Sequence, residues 1–210
     1  MNDPRLNELL KWGVQNSESS RNDPNAPAAP SNLTPDVLAA LLGGPSDADL
    51  MRESMRSITS DEISLENKLV AFDNFEQLVE QIDNANNMVA LGLWEPLLKQ
   101  LDSEEAELRS MAAWCVSTAV QNNVKAQEKL LDNKAVPTLM RLAIEDPDKT
   151  VRKKAINALS SVTRNFQPGL DAAVESLPEQ FKVDRKLDAG NMDDVDVVIQ
   201  RLRDESANKA

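Results

Sequence analysis

The chain contains no histidine. That absence removes the usual general base, a common zinc ligand, and the Ser–His and Cys–His dyads together. Tyrosine is also missing and aromatic residues make up only 3% of the chain, so any core is mostly aliphatic. Cys115 is the sole cysteine, which excludes an intramolecular disulfide framework and fits a reducing compartment. Within "MAAWCVSTAV" it reads as a buried structural thiol rather than a nucleophile. No apolar run approaches the roughly 18 residues of a membrane span. Asp3, Arg5, Glu8 and Lys11 precede any sizeable apolar stretch, so no signal peptide is expected. The glycines of "LLGGPS" lack the Lys-Ser/Thr that grips a phosphate.

These absences define expectations. The net charge of −12 comes from acidic residues spread along the chain, whereas a nucleic-acid footprint needs clustered Lys and Arg. Neither nucleic acid nor a membrane is an expected partner, but a protein with a basic face is compatible with this charge. Carboxylates on charged helix faces usually solvate rather than catalyse. No enzymatic activity, cofactor or metal is expected, and the location is cytoplasmic.

What is present is helical periodicity. Residues 5–16, "RLNELLKWGVQN", form a short amphipathic segment, followed by a Ser-, Asn- and Pro-rich stretch with the character of a flexible linker. "DVLAALL" is a second apolar island, stopped by Gly43, Gly44 and Pro45. Residues 1–45 are therefore expected to be a flexible segment. From residue 46 the apolar spacing is that of helices throughout, with no competing strand alternation. Ala71, Phe75, Leu78, Val79 and Ile82 make one stripe; Leu108, Ala112, Cys115, Val116 and Ala119 make another. Val151, Ala155, Ala158, Leu159 and Val162 make a third.

Two of these runs are copies. "LRSMAAWCVSTAVQNN" and "VRKKAINALSSVTRNF" align without gaps, Arg109 on Arg152 and Asn122 on Asn165, at an offset of 43. Each follows a shorter helix containing a proline, Pro96 or Pro137. A unit of roughly 40–47 residues built from paired helices lies in the armadillo/HEAT range. The fold expected is all-α: armadillo/HEAT-like repeats stacked as a right-handed superhelix over residues 46–183. A capping helix and tail occupy 184–210, with Val195, Val198, Ile199 and Leu202 on one stripe. Matching the first stripe onto the second gives an offset of 37, which aligns Asn84 with Gln121 and Arg164 and puts Ala85 in the slot of Asn122 and Asn165.

The last helix of each repeat lines the concave face in such arrays, and that face is the usual partner surface. Helical spacing from Trp114 adds Thr118 and Gln121. The matching strips are Gln77, Gln81 and Asn84, then Asn157, Ser161 and Arg164. Together they form a ladder of hydrogen-bonding groups, readable as a binding groove or as a polar solvated face. Asn122 and Asn165 continue the buried stripe past its end, where capping or the left-handed conformation is the simpler role.

"LENKLVAFDNFEQLVEQIDNANN" with "LWEPLL", then "AVQNN" and "VRKKAINALSSVTRN", resemble the cytosolic Fes/HspBP family. These are armadillo-type nucleotide exchange factors of the 70-kDa heat-shock chaperones. "LNELLKWGVQNSE" and "LLGG" are similar to the fungal members. The resemblance implies a monomer whose concave face embraces lobe II of the chaperone's ATPase domain and promotes ADP release. It implies that Asn84 and Ala85 sit at that contact, Ala85 permitting close approach. It also implies a client-mimicking role for Leu9, Leu10 and Trp12 at the chaperone's substrate-binding domain. From Pro168 onward the chain departs from the longer members, which continue with a further repeat.

A nuclear-import type of armadillo adaptor is the main rival. It would repeat groove Trp and Asn pairs four residues apart, but here Thr118 follows Trp114, and the neighbouring strips offer Gln77/Gln81 and Asn157/Ser161. A scaffold without exchange activity is the remaining alternative.

Overall fold

The computed structural model describes residues 43–209, and among them are ten α-helices and no strand. Asp47–Ala210 form one compact unit and Met1–Ser46 another. In the latter only residues 43–46 are described; Gly43 and Gly44 adopt φ of 82° and 49°, where a side chain would be strained. The expectations for Leu9, Leu10 and Trp12 lie outside the described residues.

The compact unit opens with a helical hairpin, α1 (Asp47–Thr59) and α2 (Leu65–Val79). Asp47 and Asp49 in the first turn of α1 favour its N-terminus electrostatically. Ser64 caps α2 by accepting from the Asn67 amide. Three-helix units then follow. The first is α3 (Ile82–Asn87), α4 (Trp94–Lys99), prolonged by a 3-10 turn at Gln100–Asp102, and the long α5 (Ala106–Val120). The second is α6 (Val124–Asp132), α7 (Val136–Glu145) and the long α8 (Lys149–Thr163). The third has α9 (Gln167–Glu175), only a 3-10 turn at Glu179–Phe181 for its middle element, and α10 (Met192–Asn208). The paired-helix unit expected from the sequence is thus a triplet. Its short first helix escapes notice because it has too few turns to display a period of its own.

The long helices pack in series, α2 on α5, α5 on α8, and α8 on α10. Phe72, Phe75, Ala112, Val116, Ala155, Leu159, Val195 and Ile199 are buried in one continuous core. Small side chains (Ala112, Ala113, Ala155, Ala158) let the helices approach closely, which suits a sequence so poor in aromatics. The C-terminal helix expected as a cap belongs to the same compact unit and packs on α7 and α8.

The ends of the long helices carry the repeat's signature. After α5 and α8 the chain turns through Asn122 and Asn165, at φ of 53° and 56°. Asparagine tolerates this left-handed conformation better than most residues. Asn123 then caps α6, accepting from the Ala126 amide and donating to the Ala119 carbonyl. After α2 only Glu80 and Gln81 intervene, and Gln81 is extended at φ −77°, ψ 124°. The first junction is one residue shorter and has no left-handed residue.

That shortening corrects the register. Leu65 of α2 corresponds to Ala106 of α5 and Val79 to Val120, an offset of 41 rather than 37. A slip of four residues is close to one helical turn and rotates the pattern by only about 40°, so the apolar stripe looks equally good in either frame. Asn84 is the third residue of α3, as Ala126 is of α6 and Gly169 of α9. All three occupy a crowded place. Asn84 donates to the Leu78 carbonyl, and a methyl group on Gly169 would collide with the Val162 carbonyl. Ala85 is 1% exposed and packs in the core, and it does not occupy the slot of Asn122.

Two equivalent arginines fasten the units. Arg109 donates through Nη1 to the Ser103 and Glu104 carbonyls and bidentately, at 2.7 and 3.0 Å, to Asp146 in the following unit. Arg152, 2% exposed, donates through Nη1 to the Asp146 and Pro147 carbonyls, repeating the pattern 43 residues on. Its other nitrogens reach Ser206 Oγ at 3.0 Å, the Ser206 carbonyl at 3.1 Å and the Lys209 carbonyl at 3.4 Å. The guanidinium therefore meets the carbonyl end of α10, where the helix dipole favours a cation.

Candidate partner-binding face

With the short helices packed behind, the long helices keep one side open. In the corrected register its rows are Asp73–Trp114–Asn157 and Gln77–Thr118–Ser161, one residue each from α2, α5 and α8, and Glu80–Gln121–Arg164, the residue just past each helix. Positions spaced by four and three residues share a helix face, so each helix contributes one strip to this side.

Trp114 stands in the middle strip. One edge of it lines a depression with Leu69, Asp73, Met111 and Thr150; another lines a shallower one with Glu76, Glu80, Thr118 and Gln121. Lys154 reaches across from α8 and sets its ammonium 3.4 Å from the centroid of the indole ring, a cation–π contact. Burial lowers the Lys154 pKa from its ordinary value, opposed by the negative charge of Glu76. Glu76 is only 5% exposed and accepts a 2.7 Å hydrogen bond from Thr118 Oγ1. On the other side of α5, Ser117 and Ser161 share a 3.0 Å hydrogen bond between their hydroxyls. The three long helices are thus linked across the open side by one polar contact per neighbour.

Of the residues expected on this side, Gln77, Trp114, Thr118, Gln121 and Asn157 are there and retain exposed surface. Ser161 and Arg164 lie in the same rows but are engaged internally. Ser161 binds Ser117, while Arg164 pairs with Asp196 of α10 at 2.6 Å and donates to Ser160 and Met192. Gln81 is in the turn between α2 and α3, off the α2 strip. Asn84 commits its amide to Asp47 Oδ2 at 2.8 Å and to the Leu78 carbonyl, closing the α1–α2 hairpin from below. Asp73, Glu80, Lys153 and Lys154 were missed. The first two follow from the offset of 41; Lys154 shares the row of Val70 and Met111, and no motif marks it.

No group of His, Cys, Asp and Glu among the described residues could hold a metal ion. Cys115 is buried, its thiol is pushed well up by desolvation, and its Sγ faces the Phe72 carbonyl at 3.9 Å. Such a thiol is a packing group, not a nucleophile. Fold and face together define an α-helical repeat protein whose long helices leave one side open.

Comparison with known proteins makes this specific. Residues 6–88 match the family model described as nucleotide exchange factor Fes1, and residues 84–172 match the SIL1/FES1/HPBP1 C-terminal domain. The chain belongs to the Fes1 family of nucleotide exchange factors. A relative from Gibberella zeae, named Hsp70 nucleotide exchange factor FES1, is 57% identical over 97% of this chain and 98% of its own length. Relatives of the same name from Coccidioides immitis and Neurospora crassa are 49% and 41% identical, over 96% and 97% of this chain and 98% of theirs. The crystal structure of an engineered protein superposes with a TM-score of 0.55 at 19% identity, covering 84% of this chain and 68% of that one. That likeness concerns the fold alone.

Proposed function

We propose that this chain is a nucleotide exchange factor of a 70-kDa heat-shock chaperone, acting by binding and without chemistry of its own. The observation that carries the proposal is near-full-length similarity to relatives named for that activity. The open side of α2, α5 and α8, with Trp114 at its centre, is the surface assigned to the chaperone. Large aromatic side chains in the middle of a face are typical binding anchors. The partner element is lobe II of the ATPase domain, gripped so that the nucleotide cleft opens.

Exchange is then a coupling of two binding equilibria. A protein that binds the open, nucleotide-free chaperone more tightly than the closed ADP form must weaken ADP binding by the same factor. A coupling of about 1–3 kcal/mol corresponds to roughly 5- to 150-fold. None of this needs a histidine, a metal or a cofactor. Nothing found favours the adaptor alternative: the open side has one tryptophan and no repeated Trp–Asn pairs.

The site of action proposed is the cytosol, in keeping with a single buried cysteine and no disulfide framework. The test is the release of fluorescent ADP from a purified chaperone, with and without the protein. Acceleration that saturates with concentration is expected. No acceleration at saturation would leave a scaffold without exchange activity.

A further inference from the structure

The open side is electrically lopsided. On α2 it carries Glu66, Asp73 and Glu80, all exposed, together with the buried Glu76, and no cation accompanies them in that strip. On α5 it is nearly neutral: Met111, Trp114, Thr118 and Gln121, with Glu107 at one end. On α8 it carries Lys153, exposed, and Lys154, half-buried over Trp114, between the capping Asp148 at the start of the helix and Arg164, paired to Asp196, past its end. A chain with net charge −12 thus gathers cations on one of its three face helices. The separation is maintained by packing. Trp114 holds the Lys154 ammonium over its ring, while Glu76 is directed to Thr118, and no ion pair joins the two across the strip.

We propose that this side is a polarised dock, which takes a partner surface carrying cationic side chains opposite α2 and anionic side chains opposite α8. The inference rests on the exchange reading and adds to it the direction in which the ATPase domain is gripped. The depression lined by Glu76, Glu80, Trp114, Thr118 and Gln121 is the place for a cation, with carboxylates on one wall and the indole of Trp114 beside them. Lys153 and Lys154 are the matching place for a carboxylate. With the domain turned end for end, like charges would meet at both strips, so the polarity selects one orientation.

The experiment uses the full chain and the purified chaperone ATPase domain, at low and at high salt. It compares Asp73→Lys with Glu80→Lys, Lys153→Glu with Lys154→Glu, and a control, Glu128→Lys with Glu145→Lys. The control shifts net charge as the first pair does, but on α6 and α7, behind the face. Expected is a loss on the order of tenfold in association rate for each face variant at low salt. The loss shrinks at high salt, and the control stays near the unmodified protein. Lys153→Glu alone guards against a folding defect at the half-buried Lys154, and it should show part of the loss with an unchanged melting curve. Face variants that bind as the control does, or loss confined to one strip, would overturn the polarity while leaving exchange intact. If the unmodified protein fails to speed ADP release, the exchange reading falls instead.

Discussion

The back of the repeat stack and its open side treat polar groups in opposite ways. Behind, Arg109 and Arg152 are sunk among carbonyls, each guanidinium tied to the loop before its own helix and to the unit that follows. In front, Asp73, Gln77, Glu80, Gln121 and Asn157 keep much of their surface in water. The back residues hold one unit against the next, so their loss should cost stability. The front residues hold little, so their loss should cost binding. Such a division would let the same helices separate folding from binding.

Five measurements would break or sharpen that division. The largest effect is expected for Arg152→Ala, which leaves Ser206 and the end of α10 without their donor. Leaving buried acceptors without their donor costs about 1–3 kcal/mol for each group, seen as a lowered midpoint in denaturant. An unchanged midpoint would show that the arginine is not a fastening. Ala85→Arg belongs with it: the side chain is buried, so lost exchange should be accompanied by lost stability. A folded but inactive Ala85→Arg protein would place that residue at the partner instead.

Trp114→Ala is expected to do the reverse. Truncated central anchors cost about 2 kcal/mol or more of binding, so ADP release should need a concentration of protein at least tenfold higher. Stability should fall by less than in Arg152→Ala, since Trp114 is only partly buried. Equal damage to both properties would blur the two regions.

Asp148 gives a smaller, pH-dependent effect at the start of α8. Its Oδ1 accepts from the Val151 and Thr150 amides at 3.0 and 2.7 Å, and these bonds, chiefly that from Val151, lower its pKa below the ordinary carboxylate value. A depressed folded-state pKa means stabilisation that is fully present above the unfolded value of about 3.9 and is lost as pH falls through the folded value. Asp148→Ala should therefore cost about 1 kcal/mol near neutral pH and progressively less in acid. A cost independent of pH would assign the effect to something other than the charged cap. The smallest effect on ADP release is expected from deleting residues 1–40, which should leave the rate unchanged while impairing client release. A slowed rate would bring that segment into the exchange surface.

Much of this was legible in the sequence where the repeat is exact. The Arg109/Arg152 and Asn122/Asn165 pairs lie in two units joined by junctions of equal length, so a gapless alignment found them. The Trp114, Thr118 and Gln121 strip followed from helical spacing alone. The α2 strip did not, because its junction is one residue shorter and a slip of four residues hardly disturbs an apolar stripe. Asn84 was aligned with Gln121 for the same reason, whereas as the third residue of a short helix it is committed to Leu78 and Asp47. The placement of Lys154 over Trp114 depends on how far apart α5 and α8 sit, which no periodicity encodes.

The arginine fastenings also bear on how the molecule comes apart. In a simple linear array each unit meets only its neighbours, and units can melt one at a time from an end. Arg152 also joins neighbouring units, but it does so tightly, tying the loop before α8 to residues more than fifty positions later, while Lys209 returns to the Ile144 carbonyl. An end that frays must therefore loosen the middle. Calorimetry should find a single cooperative transition rather than a staircase, and slow amide exchange should extend into α10 up to its last turn.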